Sequence, residues 1–163
     1  MRLKKRVYVF IACILVMIGT FRHLHEDKHT LFYTKEDVME LLKESTWRYL
    51  NYREKLGILE SIKEMDCDDL GINYSLSIET TDLKGTVVGT YDHNRLCITI
   101  DEDYLKTRGS KEVVKTLCHE IYHAYQYCLI EVYENLDECD QELLLFEIVK
   151  SYKRELENYK SSN

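Results

Sequence analysis

Residues His119, Glu120 and His123 stand in the run HEIYH, an instance of HExxH. Two imidazoles four residues apart share one face of a helix and can grip a single zinc ion. Between them, Glu120 is placed to take and return a proton. Two imidazoles leave a tetrahedron incomplete, so a third protein ligand has to come from elsewhere, with water in the fourth position. The C-terminal segment offers Glu155, Glu142 and Glu147, in that order of preference. Glu155 leads because it lies at the margin of an apolar stripe between Tyr152 and Tyr159, where an unpaired carboxylate is costly and a metal would be its partner. The chemistry this set implies is metal-assisted hydrolysis, with Glu120 as general base toward a zinc-bound water. Gln126, one turn beyond on the histidine face, reads as a residue that holds a ligand rather than one that reacts. Tyr91, Tyr122 and Tyr125 are nearby donors for a developing oxyanion, with no basis in sequence for choosing among them.

These residues need a long helix. Ser110 caps it, and a helical period runs from Lys111 to about Tyr133. Val113, Val114, Leu117, Ile121, Ala124 and Cys128 gather on one side, and His119, His123 and Gln126 fall on the roughly opposite side. Cys118 turns toward the core, which argues against it as a ligand. Ahead of the helix, Ile72, Tyr74, Leu76 and Ile78 alternate with polar residues, predicting a strand with one buried face. Two further strands, Thr86 to Tyr91 and Leu96 to Ile100, join across Asp92-His93-Asn94, so a small antiparallel sheet is expected. His93 reads as a turn residue. Upstream, Thr34 opens a helix through Val38, Leu41, Leu42, Tyr49 and Tyr52 that Gly57 stops, with Trp47 in the core. Ile58 to Met65 adds another helical turn or two, and Asp66, Asp68 and Asp69 then mark a loop. A last helix runs from about Gln141 to Tyr159 with a stripe of Leu145, Ile148, Val149, Tyr152, Leu156 and Tyr159.

The 163 residues suit one domain, at residues 34–163. Residues 1–22 form a targeting or anchor segment: a basic start, then the apolar run Val7 to Thr20, closed by Arg22. Residues 23–33 form a linker whose histidines, His23, His25 and His29, read as solvated. The basic flank stays in the cytoplasm, which places the domain outside, anchored or secreted. Four of the 22 basic residues lie within the first six positions, so 29 acidic residues dominate the body, and an acidic body argues against nucleic acid as a partner. The six cysteines contain no CxxC pair, which favours buried thiols over a disulfide framework.

Gly89-Thr90-Tyr91-Asp92, the strand Leu96 to Ile100, the run TLCHEIYHAYQ, and the segment with Tyr152, Glu155, Asn158 and Tyr159 together resemble the small gluzincin-type zinc metallopeptidases, similar to bacterial HExxH proteins built on a minimal catalytic domain. The resemblance implies an α+β, zincin-like fold with a small sheet packed against helices. It implies His119 and His123 as zinc ligands, Glu120 as general base, and an acid on the following helix as third ligand. It also implies a peptide or protein substrate paired with an edge strand, here Leu96 to Ile100. The familiar short glutamate signature after HExxH is not clearly present, which leaves room for a second function: an interaction module that keeps the fold without catalysis.

Overall fold

In the computed structural model, which describes residues 33–136 and 147–161, the first element starts at Thr34, whose hydroxyl accepts from the Asp37 N–H while Asp37 returns a bond to the Thr34 N–H. This reciprocal cap opens α1 (Lys35–Leu41). A single turn, α2 (Glu44–Trp47), follows, and a second capping box, Asn51 with Glu54, opens α3 (Tyr52–Leu70). The expected single helix ending at Gly57 is therefore two short helices and the start of a third. Gly57 lies inside α3, where the Tyr33 ring comes within 3.3 Å of the place a Cβ would take. The stop is Gly71, left-handed at φ 70°, so the three aspartates belong to the end of α3 rather than to a loop.

Three strands follow: β1 (Ser77–Thr81), β2 (Gly89–Asp92) and β3 (Cys97–Asp101), in the order β1-β3-β2. The α+β, zincin-like arrangement of a small sheet on helices is present, but the sheet is mixed. β2 pairs antiparallel with β3, whereas β1 pairs parallel with it, Ser77 opposite Cys97 and Thr81 opposite Asp101. The strand expected from Ile72 begins only at Ser77: Ile72 and Leu76 are buried as their alternation predicts but lie in the connection after Gly71, and alternation does not report which neighbour a strand chooses. As the central strand, β3 buries Ile98 and Ile100 completely.

Asp101 ends β3 and caps α4 (Glu102–Thr107), a short helix the periodicity did not reveal. After it comes α5 (Ser110–Glu134), the long helix. Its N-cap is Gly109 rather than Ser110, and a cap is supplied from outside: Glu44 Oε1 accepts from the Ser110 N–H at 2.7 Å and from its hydroxyl at 3.0 Å. Val113, Leu117, Ile121 and Ala124 are fully buried against α3 and the sheet, as their spacing predicts. Trp47 is buried too, its indole N–H donating to Arg108 O at 2.9 Å. The last described helix, α6 (Glu147–Ser161), sets Val149 against Ile130 near the end of α5, while Ile148, expected in the stripe, is 60% exposed.

All of these elements belong to the compact unit Phe32–Asn163. The anchor segment 1–22, all but the last residue of the linker, and Glu142 lie outside the described residues. No helix among the described residues is long and apolar enough to cross a membrane. Cys67, Cys97, Cys118 and Cys128 are free thiols, the first two buried.

Candidate metal centre and cleft

On α5, the Nε2 atoms of His119 and His123 lie 3.1 Å apart, with the rings nearly perpendicular. Two nitrogens at that separation, each about 2.0–2.1 Å from a common zinc, subtend roughly 100° at the metal, close to tetrahedral. The separation of the pair therefore matches two ligands of one zinc ion, once both Nε2 atoms are unprotonated. Gln126 is buried at 3% exposure, and its Oε1 lies 2.9 Å from His123 Nδ1. An amide oxygen there selects the tautomer with the proton on Nδ1, which leaves the Nε2 lone pair free. Burial, then the neighbouring His123 and Lys115, holds the His119 imidazole below its ordinary pKa, toward the neutral, ligating form.

Glu120 is 6% exposed, and burial pushes its carboxyl up from the ordinary range against an opposing pull from His123. A carboxylate made more basic in this way is a better proton acceptor than an exposed one. It can be so deep because of Gly89. A Cβ on Gly89 would stand 2.5 Å from Thr116 Cγ2 and 3.2 Å from Glu120 Oε1, so only glycine lets β2 lie this close to α5.

Between β2 and α5 opens a cleft of about 640 Å³, with His119, Glu120 and His123 among its lining residues. Val87, Val88, Tyr104, Tyr127 and Leu156 line it with apolar groups, and Glu112 and Lys115 line it as well. Tyr91 also lines it; burial raises its phenol to about 12, so the hydroxyl stays protonated. That hydroxyl is turned to His93 Nδ1, 3.1 Å away. Tyr122 does not line the cleft. Its hydroxyl donates to that of Tyr152 at 2.9 Å, fastening α6 to α5, and that bond with burial holds its pKa at about 12. Cys118 donates to Asp66 at 3.2 Å on the α3 side, away from the histidines.

The strand beside the cleft is β2, not the expected Leu96 to Ile100, which as β3 has neighbours on both sides. The Asp101 N–H bonds Val88 O at 3.0 Å, and this fixes the phase of the ladder. Val88, Thr90 and Asp92 turn their backbone groups toward β3, and Gly89 and Tyr91 turn theirs to the open side. No other described strand occupies that side.

Among the described residues, no third histidine, cysteine, aspartate or glutamate completes a metal-binding group with the pair. Glu155 is exposed on α6, next to Leu156, which does line the cleft, and its charge acts on Tyr122. Glu147 points to solvent and pairs with Lys150 at 2.9 Å. Sequence reasoning gave no role to Lys115 or Tyr127, and named Gly89 only within the family resemblance. The signal was available in the motif itself, because Lys115, His119, His123 and Tyr127 form one i, i+4 row.

Residues 67–135 match the sequence model of the SprT-like family. No curated protein and no solved structure matches the chain. The part of the chain that carries the HExxH helix and β2 is thus similar to the SprT-like family, one of the zincin-like metallopeptidases.

Proposed function

We propose that this protein is a zinc-dependent metallopeptidase that cleaves extended peptide segments in the cleft between β2 and α5. The observation that carries this reading is the 3.1 Å Nε2 pair of His119 and His123 beside a buried, basic Glu120. His119 and His123 would hold the zinc, with a third ligand from the C-terminal helix region: Glu155 first, then Glu142 and Glu147. A zinc ion held there supplies a water of lowered pKa and polarises the scissile carbonyl. Glu120 takes the proton of the attacking water and delivers it to the leaving amine. Gln126 holds His123 in its ligating tautomer. Gly89 and Tyr91 offer their outward backbone groups to the substrate, as strand addition requires. The basic and apolar start of the chain supports an anchor that keeps this domain outside the cytoplasm.

The test is zinc content and hydrolysis together. Purified wild type is expected to carry about one zinc per chain, lost in His119→Ala and reduced in Glu155→Ala, while Glu120→Gln keeps the metal and loses peptide hydrolysis. Protein free of metal, with a folded and unchanged His119→Ala/His123→Ala double variant, would overturn the reading.

A second reading is favoured by the missing third group among the described residues. In it, the fold serves as a non-catalytic interaction module whose open β2 edge receives a partner segment. Three protein ligands with a solvent-reachable fourth position would exclude the module, and a fourth protein ligand would favour it.

A further inference from the structure

Tyr127 has no role in the hydrolysis proposed above, yet it is held on two sides. Its ring stacks on His93 at 4.2 Å and 9°, and meets Tyr91 edge-on at 5.9 Å. His93 is itself clamped, its Nδ1 3.1 Å from the Tyr91 hydroxyl and its Nε2 3.0 Å from Glu131 Oε1. Tyr127 and Glu131 come from α5; Tyr91 and His93 come from β2 and the turn after it. The result is an aromatic wall fixed to both sides of the cleft before any substrate arrives, so little ordering is left to oppose binding. Leu156 of α6 adds an aliphatic side chain to the same cleft.

The phase of β2 decides which substrate residue meets this wall. Paired residues in a sheet share a face whichever way the added strand runs, so the residue opposite Tyr91 carries its side chain on the Tyr91 side. That side faces α5: Gly89, two residues earlier, lies against Thr116 and Glu120, and the Tyr91 ring meets Tyr127. The ionic lining is elsewhere, since Lys115 is about 18 Å along the helix axis from Tyr127. The nearer Glu131 carboxylate is engaged with His93.

We infer that Tyr91, Tyr127 and Leu156 form a side-chain subsite that selects an aromatic or large aliphatic residue at one fixed position of an extended peptide. The inference deepens the metallopeptidase reading and rests on it for cleavage, but not for binding. The experiment measures two things: binding of peptides differing at one residue (Phe, Leu, Ala, Asp or Lys) to zinc-loaded full-length Glu120→Gln, and the products wild type makes from a random peptide pool. Phe and Leu peptides are expected to bind about tenfold tighter than Ala or Asp peptides, the gain that partial burial of a large apolar side chain gives. Cleavage is expected to show the same preference at a single position. Introduced into the same Glu120→Gln protein, Tyr127→Glu should move the preference toward Lys, a gain that unfolding cannot imitate. Equal affinities across the series, or an apolar preference unchanged by Tyr127→Glu, would overturn the subsite. A Phe preference in binding without any cleavage of the pool supports the subsite and removes the hydrolytic reading; cleavage without positional preference does the reverse.

Discussion

Gly89 of the edge strand and Glu120 of the HExxH helix are packed so closely that a single added carbon would come within 3.2 Å of the Glu120 carboxylate. The distance between β2 and α5, and with it the width of the cleft floor, is set by the absence of a side chain. Gly89→Ala is therefore expected to push β2 away from α5 at a cost of about 1–3 kcal/mol, the usual range for overpacking. Thr116→Ser removes the Cγ2 that stands 2.5 Å from the added carbon and should restore much of the loss in the double variant. Urea denaturation of the two single variants and the double variant measures this, and additive losses would rule the contact out.

Glu120 gives a pH dependence whose sign follows from burial. Its folded pKa is raised, so the folded state favours the protonated carboxyl, and the stability this contributes is present below the unfolded pKa and lost as pH rises through the folded one. Metal-free Glu120→Gln should thus melt higher than metal-free wild type at pH 8, with the gap closing toward about pH 3, below the ordinary glutamate pKa of about 4.3. Thermal melts across that window test it; a gap that widens on acidification contradicts the assignment.

Replacing Gln126 by Leu keeps the volume but removes the acceptor 2.9 Å from His123 Nδ1. Loss of such an orienting partner weakens zinc binding by about 10- to 100-fold. Competition against a chelator of known affinity gives the number. An unchanged affinity would mean that the tautomer is held by other means.

Glu44→Ala takes away the acceptor for the Ser110 N–H and hydroxyl at the start of α5. A lost helix cap costs about 0.5–2 kcal/mol. Hydrogen exchange should accelerate first at the amides of the opening turn of α5, and protection unchanged there would show that Gly109 suffices alone.

The site was legible in sequence to the extent that it lies on one helix. His119 and His123 face the same way because they are four apart, and Val113, Leu117, Ile121 and Ala124 are buried because they follow the other face of the same period. What crosses between elements was not legible. Alternation found Ile72, Leu76 and Ile78 buried but started the strand at Ile72 rather than Ser77, and it carries no term for a strand's neighbour, so the parallel pairing with β3 was missed and β3 was read as an edge. Gly57 read as a stop because glycine is the usual residue just past a helix end, yet the capping box at Asn51 starts a helix that runs through it, and the close Tyr33 ring gives the glycine its place. The six residues of α4 are too few for a period to show. Glu155 followed from stripe geometry, which sets a residue's angle on its own helix but not that helix's distance from another.

The i, i+4 row on α5 also acts as a ruler. Each step along it rises about 6 Å, and an extended peptide advances about 3.3 Å per residue. β2 runs in the same direction beside it, with Gly89 beside Glu120, Tyr91 beside Tyr127 and His93 bonded to Glu131. The interval between His123 and Tyr127 thus spans about two substrate residues. Helix pitch, rather than any loop, would then count the residues between the bond that is cut and the side chain that is read.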